Sequence, residues 1–201
     1  MKKFILIPTL LLVVCFVFTG CMGTGGAGSN PQPSESSVVY NTVEEFKTGI
    51  AAMKASDAAD EHALKTIDSY YTLKELPQDA KVVGVKVASF FVRVQYTFGK
   101  QEPQTFENKI DLIWYRNTNG TNYINKISSD GNTYDEVKGK DLTYLVTKAK
   151  VKSETDPNAT RDYCQIVYWS QDSQAYMAAV PLSFTHDDIL KYCIAQKATV
   201  G

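Results

Sequence analysis

Histidine is nearly missing from this 201-residue chain. Only His62 and His186 are present, far apart, which excludes a three-histidine zinc centre. Tryptophan and methionine are sparse too, at two and four residues. There is no Gly-x-Ser-x-Gly elbow, no Ser-x-x-Lys, and no glycine-rich loop set between a strand and a helix. Charge of either sign is not in excess: 21 Lys and Arg stand against 22 Asp and Glu, scattered along the chain. Nucleic acid therefore finds no electrostatic footprint here. No apolar run reaches the ~20 residues of a membrane-spanning helix.

One shorter apolar run is informative. Lys2 and Lys3 precede Phe4–Phe18, fifteen residues without a charge, and Phe18-Thr19-Gly20-Cys21 closes the segment. A cationic head, a short apolar body and small residues at the end form the pattern of an export signal. The closing residues resemble the lipobox of bacterial lipoproteins, with Phe18 in place of the usual aliphatic residue. That resemblance implies cleavage before Cys21, a diacylglyceryl group on its sulfur and palmitate-type modification. It places the chain on the outer face of the cytoplasmic membrane. Two buried acyl chains suffice for stable residence where one would be marginal. Residues 1–20 are thus read as signal peptide. Residues 21–37, rich in Gly, Ser and Pro without an apolar face, are read as a tether with an r.m.s. span of roughly 23 Å.

Residues 38–201 are enough for one domain. Thr42-Val43-Glu44-Glu45 has the form of a capping box, and Val43, Phe46, Ile50 and Met53 make one apolar stripe. A second helix is expected from about Ala58 to Tyr71. Alternating strands follow: Val83 to Val87, Val92 to Phe98, and Phe106 to Trp114. Further strands are expected at Tyr123–Ile127, Leu142–Val146, Cys164–Trp169 and Ala175–Val180. A final helix opens at Thr185-His186-Asp187-Asp188 and buries Ile189, Leu190, Cys193 and Ile194. The expectation is α+β: N-terminal helices, an antiparallel sheet of six or seven strands, and one C-terminal helix, with the helices on one face.

Val167-Tyr168-Trp169, Asp172, Tyr176 and Asp188-Ile189-Leu190-Lys191-Tyr192 carry a second resemblance. They are similar to the strand–turn–strand–helix ending of an uncharacterised domain family from extracytoplasmic parts of Gram-positive membrane and lipid-anchored proteins. It covers about the last forty residues. It implies a Gram-positive surface protein and brings no catalytic residue.

Residue chemistry gives few sites. His62 lies beside Asp57, Asp60 and Glu61, which read as a solvated acidic segment rather than a cation site. Asp130 to Glu136 alternates oxygen ligands but lacks the glycine and terminal glutamate of a calcium loop, so a polar hairpin is the better reading. Glu107 and Asp111 share strand parity but stand about 13 Å apart on an extended strand, beyond a glycosidase pair. Tyr115, Tyr123, Tyr144, Tyr163, Tyr168 and Tyr176 fall on strand candidates beside Trp114 and Trp169, where core packing outweighs a binding platform. Ile113 and Tyr115, opposite in phase to Leu112 and Trp114, mark an apolar second face and hence a partner surface. Cys164 and Cys193 leave two readings open, a disulfide or two buried thiols. The expectation is a non-enzymatic binding module for an apolar ligand or surface protein, without cofactor or metal. The rival is a cell-envelope hydrolase using carboxylates.

Overall fold

The computed structural model describes residues 37–100, 106–152 and 160–201. The signal segment, Cys21 and the tether up to residue 36 lie outside the described residues.

Ten strands and three α-helices occur among the described residues. β1 (Val38–Tyr40) leads into α1 (Val43–Lys54). Thr42 caps that helix, its Oγ1 accepting from Glu45 N at 3.0 Å, while Glu45 reaches back to Asn41 N at 2.9 Å. Phe46 and Ile50 form its buried stripe.

The second helix expected at 58–71 is not formed. Both oxygens of Asp60 take backbone N–H groups, of Leu64 at 2.5 Å and Lys65 at 2.7 Å. The result is a single 3-10 turn at Leu64–Thr66. Ser69–Leu73, rich in Tyr and Thr, then runs as β2, because its aromatics favour a pleated surface.

β3 (Lys81–Ala88) and β4 (Phe91–Thr97) form the expected hairpin. A bulge between Val82 and Gly84 shifts the phase, so Val85 and Val87 are buried while Val83 is exposed. β5 (Lys109–Asn119) follows. The strand expected at Tyr123–Ile127 is instead α2 (Gly120–Ser128). Asn119 caps it, its Oδ1 accepting from Asn122 N at 3.0 Å. Gly120 is required there, since a Cβ would collide with the Ser170 side chain and the Gln174 backbone.

β6 (Asp135–Lys138), β7 (Thr143–Lys152), β8 (Thr160–Gln171) and β9 (Gln174–Val180) return as a meander. α3 (His186–Tyr192) carries the expected capping box, Thr185 and Asp188 exchanging both bonds. The chain does not end on that helix. It turns back as β10 (Ala195–Thr199), antiparallel to β2.

The large sheet is antiparallel throughout, in the order β1-β3-β4-β5-β9-β8-β7-β6, and β10-β2 is a separate pair. The protein is therefore α+β, with eight strands plus two in place of six or seven. One face of the large sheet is sealed by α1, β2, β10 and α3. Phe46, Ile50, Leu73 and Ile189 pack there on Val85, Val94, Leu112, Val167 and Tyr176. Removing this apolar area from water supplies the main driving force. The expectation of all helices on one face is corrected by α2, which lies on the other, its Tyr123 against Tyr115 and Tyr168.

Polar clamps position the cover. Tyr96 Oη accepts from Leu73 N at 3.1 Å. Gln171 both donates to and accepts from the Ala195 backbone, at 2.8 and 3.0 Å. Gln165 Nε2 donates to the carbonyls of Pro181, Leu182 and Phe184 ahead of α3. Arg116, only 6% exposed, donates to His62 O at 3.1 Å, Ala63 O at 2.8 Å and Thr66 Oγ1 at 2.7 Å. That guanidinium holds the 3-10 turn against the end of β5.

Cys193 is a buried free thiol in the main core, so no disulfide joins it to Cys164. Val167 and Trp169 face the main core, and strand alternation turns Cys164 to the opposite face, beside Phe106 and Ala179. The two sulfurs are therefore on opposite sides of the sheet.

Replacing Arg116 with Met strips four acceptors of their donor, the carbonyls of His62, Ala63 and Ala88 and the Thr66 hydroxyl. The stability lost is expected to be about 3 kcal/mol, read as a lower urea midpoint at unchanged slope. Arg116→Lys, which keeps the charge but not the fork, is expected to recover less than half of it.

Candidate functional site

The second face of the large sheet is built by the residues that alternate with the core. Cross-strand registers place Lys86, Arg93, Ile113, Met177, Tyr168 and Leu145 in one row from β3 to β7. The adjoining row holds Asp111, Ala179, Ile166 and Thr147.

Two segments cover parts of this face. At one end α2 sets the Tyr123 ring 4.8 Å from Tyr115 and 6.2 Å from Tyr168. Tyr134, which follows α2, closes on Tyr168 at 6.0 Å. At the other end Phe106, ahead of β5, packs on Cys164 and Ala179, with its ring 5.6 Å from Tyr163. Between them Ile113, Met177 and Ile166 remain half-buried. Tyr115 Oη donates toward Met177 Sδ at 3.7 Å, joining the tyrosine cluster to this apolar centre.

A charged pair borders the patch. Arg93 is bonded to Asp111, and Gln95 Nε2 donates to the other Asp111 oxygen at 3.2 Å. Asp111 is 6% exposed, so its carboxylate is committed to these partners. Glu107 is exposed in the turn before β5 and does not share a strand with Asp111, because β5 begins at Lys109.

The remaining expected groups have structural tasks. Asp60 closes the 3-10 turn, and the carbonyl of neighbouring His62 receives Arg116. Asp130 accepts from Asn132 N at 2.9 Å and from Tyr134 Oη at 2.6 Å, an Asx turn. His186 is the first residue of α3. Among the described residues no group of three His, Cys, Asp or Glu is gathered.

Ile113 and Tyr115 thus do share the second face, but they differ in access. Tyr115 lies under Tyr123, whereas Ile113 stands at the centre of the half-buried patch. Met177 and Ile166 were not anticipated. Their signal was parity: Ile166 alternates with Val167, and Met177 with Tyr176. Of the other tyrosines, Tyr144 and Tyr176 are fully buried on the core face, and Tyr168 is half-buried on the second.

No family model matches this chain, and neither a curated protein nor a solved structure is similar to it.

Both faces hold phenols that resist ionisation. Burial disfavours the charged form and raises Tyr96, Tyr123, Tyr144, Tyr168 and Tyr176 above the ordinary value of 10.0. Burial likewise pushes the Cys193 thiol from 9.0 up to about 12. Above pH 9 the unfolded chain releases protons that the folded chain retains, so stability falls with rising pH. The urea midpoint is expected to hold level from pH 7 to about 8 and to drop steadily between about pH 9 and 12. An unchanged midpoint at pH 11.5 contradicts burial of these groups.

Proposed function

We propose that this chain is a lipid-anchored extracytoplasmic binding module without catalytic chemistry, joined to the membrane through Cys21. The half-buried Ile113–Met177–Ile166 patch contacts its partner. The anchor rests on the lipobox-like Phe18-Thr19-Gly20-Cys21 and the Gly/Ser/Pro-rich stretch after it, and the assignment to a Gram-positive cell rests on the resemblance carried by Val167-Tyr168-Trp169, Asp172, Tyr176 and Asp188–Tyr192. No helix among the described residues is long and apolar enough to cross a membrane.

The carrying observation is the composition of the second face. An apolar centre of Ile113, Met177 and Ile166 is bordered by Tyr168 on one side and the Arg93–Asp111 pair on another. Apolar centre and polar rim are the anatomy of a protein-binding patch. Met adapts its shape to a partner, and Tyr adds contact area at small entropic cost. The nearest buried carboxylate, Asp111, is tied to Arg93 and Gln95, which favours binding over acid–base chemistry.

Two experiments separate anchor from surface. Metabolic labelling with a palmitate analogue is expected to mark the wild-type chain and to be lost in Cys21→Ser, with the protein leaving the membrane fraction. A label surviving that substitution contradicts the anchor. For the surface, a photoreactive benzophenone residue is placed at position 113 in living cells. A discrete adduct is expected there and none from position 76, where exposed Leu76 lies just beyond β2. The Met177→Lys substitution should reduce the adduct at least tenfold. No adduct from 113, or equal adducts from both positions, contradicts the proposal.

A further inference from the structure

The chain joins the sheet beside a tight turn of unusual composition. β1 lies antiparallel on β3, with Val38 opposite Val87. Ser37 is therefore level with Ala88, the last residue of β3. Ala88 pairs with Phe91 of β4, so only Ser89 and Phe90 connect the two strands. The segment that leads back to Cys21 thus meets the domain next to this turn.

Tight turns favour Gly, Pro, Asn, Asp and Ser. Here one of the two residues is a phenylalanine, 41% exposed. It is held in place: Phe90 O accepts from Arg116 N at the end of β5 at 2.8 Å, and its ring stands edge to face on Phe91 at 4.9 Å. Phe91 is half-buried and lies opposite Tyr115, which carries the Tyr123 ring at 4.8 Å. Aromatic side chains therefore follow one another from the tip of the turn back onto the second face. An apolar ring in front with phenols behind it matches the boundary between acyl chains and headgroups, where amphipathic aromatics settle.

Charge at this end does not compete with that chemistry. The neighbouring turns expose Lys140, Asp141 and Asp172, of mixed sign. The opposite end of the sheet is remote. β5 covers about 20 Å from Lys109 to Tyr115 at ~3.3 Å per residue. Leu182, 39% exposed, follows β9 at the Lys109 end.

We propose that the Ser89–Phe90 turn is a membrane-contact site. Phe90 enters the acyl boundary of the bilayer that holds the chain, Phe91 follows at headgroup level, and the sheet stands end-on with Leu182 in water. This rests on the Cys21 anchor proposed above. The roughly 23 Å r.m.s. span of residues 21–37 keeps the turn near the bilayer, and one inserted phenylalanine supplies an orientation that acyl chains on a tether do not. The Ile113–Met177–Ile166 patch then faces sideways, toward neighbours on the same membrane.

The test uses the full-length lipidated protein in protein-free vesicles of phosphatidylcholine and phosphatidylglycerol. A phospholipid with a diazirine in its acyl chain is included and photolysed. Flotation with the vesicles reads the anchor, and lipid adducts located by mass spectrometry read the turn. Adducts on Phe90 and Phe91 are expected to exceed those on Leu182 at least tenfold. Flotation without adducts at the turn, or with equal adducts at both ends, overturns the proposal, leaves the anchor intact and makes a protein the occupant of the turn. Failure to float removes the anchor and this site with it. Phe90→Ser is expected to keep both flotation and the urea midpoint while lowering adducts at Phe91 at least fivefold. Unchanged adducts in that variant also overturn the site.

Discussion

The structure depends on one constraint: each strand of the eight-stranded sheet must place alternate side chains under a single apolar cover. That cover is assembled from α1, β2, α3 and β10, which come from both ends of the described chain. Burial of Val85, Val94, Leu112, Val167 and Tyr176 supplies the drive, but apolar contact is not directional. Direction comes from a few polar side chains that bind backbone across layers. Tyr96 holds β2, Gln171 holds β10, Gln165 holds the approach to α3, and Arg116 holds the 3-10 turn.

Alternation also decides what the other face can do. Once Val167 and Trp169 are committed to the core, Cys164, Ile166 and Tyr168 must point away from it. The same logic sends Ile113 and Met177 outward. α2 and Phe106 cover the ends of this second face and leave its apolar middle half-buried. The half-buried apolar patch here is therefore a by-product of how the core is satisfied, with Arg93 and Asp111 neutralising each other at its edge. The same registers set Tyr144, Trp169, Tyr176 and Trp114 in one aromatic row on the sealed face. Among the described residues the buried side-chain polar atoms without a partner are Trp169 Nε1 and the Tyr176 hydroxyl in that row and Arg93 Nε on the second face, against the rule that buried donors are paired.

Where local physics was sufficient, the sequence was legible. The capping residues Thr42 and Thr185, the apolar stripe of α1 and the β3–β4 hairpin all appear where spacing puts them. The misses have identifiable causes. Tyr123–Ile127 has strand-like composition, but Asn119 and Gly120 start a helix that fits flush on the sheet. β10 is Ala-Gln-Lys-Ala-Thr, with little strand propensity, and it exists because β2 lies more than a hundred residues earlier to pair with it. Leu64, Ile67 and Tyr71 have helical spacing, yet Asp60 ends the turn and the Tyr-rich run prefers the sheet. The cysteines were legible in principle. Counting parity from Trp169 puts Cys164 on the face opposite Cys193, which no even count of thiols reveals.

The most direct test of this two-faced account is carbene footprinting of the isolated full-length protein, read residue by residue by mass spectrometry. Labelling is predicted at Ile113, Ile166 and Met177, with none at their chain neighbours Leu112, Val167 and Ala178. Protection of all six residues, or labelling that falls on the second set, would contradict the assignment of one sealed and one accessible face.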